Sequence, residues 1–437
     1  MNILKQKKIN NKKHISKKVI RRNNAKLYPI YKMFSWDLIS FYGIEFLFYT
    51  LTKGLSASGI LIISALYILF RILMQMPAVT LTDILGHRKS LIIGNSLISL
   101  FVLGLIVSPN IYFIIIAALF RALGYDIKVI VETNLLYDSV STRGGEGLYS
   151  KLDSKGASWY YWLDGVICIC IGYLFVINNY FPMFICLGFT IISTILSLKF
   201  KDVHATKRDE NKRFKNVLKE YSIDLKSSYK FIVRSNRIRS YIIFGAIFYG
   251  VITVLDVFRN NVLIFKGVPA AEYSMIFAVL ILLAGLSVKS SRKIHKKFRN
   301  RTLTVVSLFY IACCLVVGII ANVCNTNICI PLIIIMFALM KMASSVWYVY
   351  EYKYLKNFTT PEIRNKIMFT YELIGGIVTS LLSFLGSIIL KIFNPSQGFL
   401  ILSLIAFIGI VLSLDYMRNR IGLRPQDYKK EDIEFMK

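Results

Sequence analysis

The sequence predicts an all-α polytopic membrane protein, with twelve transmembrane helices in two six-helix halves and both termini in the cytoplasm. Three observations carry this. Of the 437 residues, 55% are hydrophobic and 14% aromatic, above the roughly 45–50% apolar share of soluble domains. The apolar residues come in blocks of about twenty, the length a helix needs to cross a hydrocarbon core about 30 Å thick. The charges are swept into the gaps and are lopsided, with 54 Lys and Arg against 24 Asp and Glu, a formal net charge of +30. A disordered chain, a coiled coil, a small disulfide scaffold and an ordinary soluble enzyme are excluded.

Taken in order, residues 1–32 form a basic cytoplasmic tail, too long and polar to open a signal peptide. The block after it carries Asp37 and Glu45 and is read as a retained first span. The first bundle, 33–200, holds spans at 33–51, 56–78, 90–108, 111–136, 158–178 and 181–200. A charged cytoplasmic linker follows at 201–238. In it Phe214, Val217, Leu218, Tyr221 and Leu225 recur at helical spacing, which predicts a surface helix. The second bundle, 239–416, holds spans at 239–258, 271–289, 302–321, 329–350, 365–390 and 396–415, and residues 417–437 form a cytoplasmic tail. Polar breaks such as Ser-Pro-Asn at 108–110 separate the spans.

Orientation follows from the excess of Lys and Arg in cytoplasmic loops. Nearly all of the 54 fall in the two tails, the linker and alternate loops, while the opposite side holds only Lys53, Arg259, Lys266 and Lys391. A pI near 9.8 resembles a nucleic-acid footprint when taken alone. Here the excess lies on one membrane face, where topology and anionic lipid account for it, so the expected partner is the bilayer and not nucleic acid. Five of the seven cysteines sit inside apolar blocks as small hydrophobes. Cys324 and Cys329 flank a short outer loop where a disulfide is possible. No metal site or cofactor is expected, and no GxxxxGK[ST] phosphate loop is present.

The two halves echo each other in position: Thr82–Leu91 (TDILGHRKSL) follows span 2, and Lys293–Leu303 (KIHKKFRNRTL) follows span 8. Gln75–Leu91 (QMPAVTLTDILGHRKSL) resembles the signature loop of the major facilitator superfamily at Pro77, Asp83, Gly86, Arg88, Lys89 and Leu91. Val79, Ile84 and His87 depart from that pattern. Arg121-Ala-Leu-Gly124 is similar to the superfamily's R-x-x-x-G element, and the end of span 4, LLYDSVSTRGGEG, looks like an LYDS-type ending of an uncharacterised bacterial subgroup. The resemblance implies a transporter in the cytoplasmic membrane that works by alternating access. It also implies a loop that latches the halves, with Asp83, Gly86, Arg88 and Lys89 meeting Asp138 at the foot of span 4.

Charges within spans are the candidate pathway, because each costs at least about 2.5–3.5 kcal/mol at a helix centre. They are Asp37, Glu45, Arg71, Arg121, Asp126, Lys128, Glu132, Asp164, Asp256, Lys341 and Glu372. Spans 3, 6, 9 and 12 carry none in their apolar cores. The resemblance implies that spans 1, 4, 7 and 10 line the cavity and that 3, 6, 9 and 12 face lipid. In span 4, Arg121, Lys128 and Glu132 share one helical face at about 100° per residue, with Lys128 and Glu132 as an i,i+4 pair. Such a stripe either binds a charged substrate or relays protons, or it is a self-neutralised structural network. Glu45 is the preferred proton-titrating carboxylate. The aromatic runs at 159–162 and 347–354 read as interfacial belts, with Trp162, Trp347 and Tyr348 kept as candidate cavity residues.

The expected function is secondary active transport without enzymatic chemistry, coupled to protons or another ion. It is read first as proton-driven efflux of a small amphipathic or ionic compound. The alternatives are import of a small metabolite, or a membrane partner or sensor that does not transport. A membrane enzyme is disfavoured because all four histidines, His14, His87, His204 and His295, lie on loops or tails.

Overall fold

The computed structural model describes residues 2–140, 145–203, 223, 226, 229–324, 329–357, 361–418 and 420–421. The predicted linker helix and most of the C-terminal tail lie outside these residues. No strand occurs among the described residues. The chain divides into two compact units, Met1–Ile44 with Leu73–Leu218, and Glu45–Ile72 with Lys219–Lys437.

The first unit is built from α1 (Asn2–Ser35), the start of α2 (Phe41–Leu47), the end of α3 (Ala57–Leu85), α4 (His87–Val107), α5 (Ile111–Val140), α6 (Gly145–Ile177) and α7 (Phe181–Leu198). Its core gathers Tyr28 and Tyr31 of α1 with Leu91, Ile127, Val131, Leu135 and Phe200. Glycine lets α4 and α5 meet: a Cβ on Gly124 would stand 2.7 Å from the Gly94 carbonyl oxygen. Small residues at such crossings let backbones approach closely, as membrane helix packing requires. Gly156 of α6 does the same for α1, since a Cβ there would lie 2.6 Å from Lys32 Cβ.

Two expectations change here. The first span is not one helix. α1 ends at Ser35, the chain unwinds over Trp36–Ser40, and α2 passes into a π-helical turn at Phe48–Thr52. Ser40 takes a positive φ of 65°, which a non-glycine residue holds only at some cost. Nor is the segment before residue 33 simply a tail, because Asn24, Tyr28, Tyr31 and Lys32 are buried in the core. Asn24 donates to the Lys201 carbonyl at 2.8 Å and ties the helix to the end of α7.

The second unit holds the start of α3 with α8 (Asn236–Phe265), α9 (Ala270–Phe298), α10 (Thr302–Val323), α11 (Cys329–Asn357), α12 (Pro361–Ile392) and α13 (Pro395–Arg418). α8 is its hub, packed against α12 and α13. Gly250 seats against Thr379 and Leu382, and Gly386 against Phe258, Leu61 and Val254. Ser58 and Ser387 share a hydrogen bond of 2.7 Å, and Ser380 donates to the Ala65 carbonyl at 3.2 Å. These bonds fasten the first half of α3 to α12. Cys324 and Cys329 are joined in a disulfide.

Among the described residues, ten helices, α3, α4, α6, α7 and α8–α13, are long and apolar enough to cross a membrane. α5 is 30 residues long but carries Arg121, Asp126, Lys128, Glu132 and Asp138. Its charges, rather than its length, set it apart.

Candidate functional site

The unwound segment Trp36–Ser40 is the centre of the site in the first unit. Breaking a helix frees backbone donors and acceptors, and inside a membrane protein these must find partners. They do. Lys128 of α5 donates its ammonium to the carbonyls of Ser35 and, at 3.4 Å, Trp36. Asp164 of α6 accepts the Ser40 N–H at 2.7 Å. Asp37 accepts the N–H of Leu38 at 2.8 Å, a local side-chain turn that competes with helix. Three charges that the sequence placed on spans 1, 4 and 5 are therefore brought to one point by the break.

Arg121 sits beside them. Its guanidinium donates to the Tyr42 hydroxyl at 2.7 Å, and that hydroxyl reaches both Asp37 oxygens at 3.1 and 3.2 Å. The same guanidinium lies over the rings of Phe41, Tyr42 and Phe101 at 5.1, 5.5 and 5.2 Å. Such contacts with desolvated cations are worth up to about 2 kcal/mol each. A small cavity borders this cluster, lined by Phe34, Ser35, Asp37, Asn95, Arg121, Tyr125, Lys128, Thr190 and Ser193 among others. It is at the lower limit of the space that a single water molecule needs.

The expected Lys128–Glu132 pair is corrected. Glu132 forms its ion pair with Lys32 at 2.7 Å, and also accepts from Tyr31 at 2.8 Å and Ser35 at 3.1 Å. Lys32 reaches Asp153 as well, at 3.6 Å, and Tyr28 donates to Asp153 at 3.0 Å. Lys128 turns the other way because the broken helix presents carbonyls to it. Sequence reasoning missed Lys32 by assigning it to the tail. The signal was there: Tyr28, Tyr31, Lys32 and Ser35 fall at i, i+3, i+4 and i+7, one helical face. Asp126 is buried on α5.

At the signature turn, Gly86 takes a φ of 78° between α3 and α4, a conformation open to glycine without steric cost. Asp83, Arg88 and Lys89 are exposed. The partner expected for Asp138 changes. His87 Nε2 lies 3.7 Å from Asp138, while Arg88 donates from its backbone to Asp202 at 2.9 Å and from its guanidinium to the Leu198 carbonyl at 3.2 Å.

The second unit holds the other candidates. Asp256 of α8 is bridged by Lys341 of α11 at 3.3 Å and by Arg259 at 2.9 Å. Arg259, expected in an outer loop, lies within α8 and is 4% exposed, because that helix continues to Phe265. Glu45 and Arg71 are half-buried on α2 and α3, and Glu372 is exposed on α12. Glu351, at the end of the predicted tenth span, is a buried acid that sequence reasoning passed over. Trp347 is fully buried and stacks edge-on with Phe248 at 5.2 Å, whereas Trp162 is 66% exposed. No group of three or more His, Cys, Asp or Glu among the described residues is arranged to hold a metal.

With this geometry in place, a family model described as the Major Facilitator Superfamily matches residues 33–349. The chain belongs to the Major Facilitator Superfamily. It is a multi-pass membrane transporter of that superfamily, at the plasma membrane, and not an enzyme. The fold is similar to that of the nucleoside transporter NupG, with a TM-score of 0.70 at 12% identity over 93% of this chain and 100% of that one. It is also similar to a D-xylose-proton symporter, with a TM-score of 0.64 at 12% identity over 95% and 98% of the two chains. A peptide transporter POT in complex with sulfate gives 0.67 at 11% identity over 90% and 93%. No curated protein matches the chain by sequence. In superfamily terms, the broken first helix and the charged fourth one supply the cluster just described.

Proposed function

We propose that this transporter couples the movement of a small amphipathic or ionic compound to protons, by alternating access of two six-helix bundles, 33–200 and 239–416. The observation that carries the reading is the cluster at the broken first span. There Asp37, Arg121 and Lys128 border a small cavity, and half-helix ends with a buried cation–carboxylate set suit ion and substrate binding. Asp37 is the carboxylate that exchanges protons with that cavity, and Arg121 answers its charge through Tyr42. Asp126, Asp164, Asp256, Lys341, Glu45, Arg71 and Glu372 complete the pathway. The turn with Asp83, Gly86, Arg88 and Lys89 acts as the latch, and its His87 is the residue that faces Asp138.

Twelve crossings with both termini in the cytoplasm fit the charge bias. The Cys324–Cys329 bond supports the same orientation, since disulfides persist on the oxidising side of a membrane. Efflux is the first reading of direction. Uptake in symport is the second, favoured by the likeness to a D-xylose-proton symporter.

The test is flux in proteoliposomes, using a compound chosen by its stabilisation of the purified protein, with and without a pH gradient. Gradient-driven flux that falls at least about tenfold in Asp37→Asn and in Arg121→Lys is expected, because lysine lacks the planar fork that stacks on Tyr42. Flux indifferent to the gradient overturns proton coupling, and the sign of the flux decides direction.

A further inference from the structure

Glu351 closes the apolar run of α11 and is 2% exposed. Its carboxyl oxygen accepts a hydrogen bond from the Tyr371 hydroxyl of α12, and its main-chain carbonyl accepts one from Tyr241 of α8 at 2.6 Å. The pocket is built for this contact. A Cβ on Gly245, one turn along α8 from Tyr241, would stand 2.6 Å from the Tyr371 hydroxyl oxygen, so only glycine leaves the phenol room to reach the acid.

Among the described residues, the surrounding groups do not balance a negative charge. α8 contributes Tyr241 and Tyr249, and α12 contributes Tyr371 and Glu372. α9 contributes His295, whose ring stacks at 4.5 Å on Tyr350 rather than on the acid. Arg71 and Tyr67 of α3 act on Tyr249, and among the described residues the charge that acts on Glu351 is a second carboxylate, Glu372. Among the described residues no cation pairs with it. This is the opposite of Glu132 and Asp256, each of which has a Lys or Arg within 3.3 Å. A buried acid with a neutral donor and no cation is held as the carboxylic acid, because ionising it there is costlier than binding a proton.

We propose that Glu351 is a proton-carrying residue of the second unit, cycling between carboxylic acid and carboxylate with one proton taken up or released. The proposal rests on the proton-coupled reading above and adds a residue to it. Tyr371, set by Gly245, is the positioning residue.

The test needs no substrate. Infrared difference spectra of the full chain in lipid are recorded as pH is stepped and as water is replaced by deuterium oxide. The expected result is a protonated-carboxyl band near neutral pH that exchanges with deuterium, disappears reversibly at alkaline pH and is absent from Glu351→Gln. Tyr371→Phe keeps the acid and removes its donor, so the band moves to higher wavenumber. This variant remains informative should the glutamine chain fail to fold. A band unaffected by Glu351→Gln, or one that neither exchanges nor titrates, overturns the proposal. Gradient-driven flux without such a band defeats this inference alone, whereas the band without any flux defeats the transport reading.

Discussion

Buried carboxylates in this protein differ by what faces them. Glu132 receives Tyr31, Ser35 and the Lys32 ammonium, and is 2% exposed. A carboxylate so completely paired is a structural bolt between α1 and α5 rather than a proton shuttle. Removing Lys32 leaves Glu132 buried without its ion pair, a change that costs about 3–5 kcal/mol, and removing Glu132 leaves Lys32 only the longer contact of 3.6 Å to Asp153. Glu132→Gln and Lys32→Met are therefore each expected to lower the thermal midpoint of the purified protein sharply. The double variant should lose less than the sum of the two, which a double-mutant cycle on unfolding measures. Asp37 contrasts with it. Half-buried and beside the cavity, it is held by a neutral group, the Tyr42 hydroxyl, where Glu132 is held by an ammonium. Asp37→Asn is expected to leave the thermal midpoint nearly unchanged while abolishing coupling.

Among the elements, α4 and α5 depend on a single close crossing. Gly124→Ala puts a methyl 2.7 Å from the Gly94 carbonyl and 3.0 Å from Leu97 Cβ. Backbone cannot yield cheaply, and overpacking of this kind costs about 1–3 kcal/mol. Gly188 of α7 is the control, because a Cβ there meets nothing within 4 Å. Gly188→Ala is expected to be neutral or stabilising by up to about 1 kcal/mol from helix propensity. The same thermal measurement on both variants separates packing from composition. A loss at Gly188 equal to that at Gly124 contradicts the crossing argument. The broken first span follows the same logic. It persists because Lys128 and Asp164 satisfy the groups that the break frees, so Lys128→Met is expected to destabilise α1 against α5 more than loss of an exposed lysine would.

At the scale of the whole molecule, the chain threads both compact units, leaving the first after Ile44, re-entering it at Leu73 and leaving it again after Leu218. Its orientation is open to direct measurement. In a variant lacking Cys168, Cys170, Cys186, Cys313 and Cys314, the remaining pair is Cys324 and Cys329. After mild reduction, a membrane-impermeant maleimide added to intact cells is expected to label that pair. An N-terminal tag should stay protected until the membrane is opened. Labelling only after lysis contradicts the assignment of cytoplasmic termini.

Composition and order along the chain determined the class of molecule. Apolar runs the thickness of a bilayer leave a helix as the only economical state, and most of the lysines and arginines gather between those runs because a charge is costly in hydrocarbon. The signature turn was legible too, since Gly86 needs its positive φ whatever surrounds it. Partner choice was not. Lys128 lies four residues from Glu132 yet turns to carbonyls of a broken helix, and Glu132 finds Lys32 a hundred residues away. Arg259 lies inside α8, and Glu351 became notable through its burial against Tyr371, with no cation beside it among the described residues. Helical spacing sets which residues share a face. Which charge meets which depends on where another helix crosses, and that was decided by small residues such as Gly124, Gly156 and Gly245, through contacts distant in sequence.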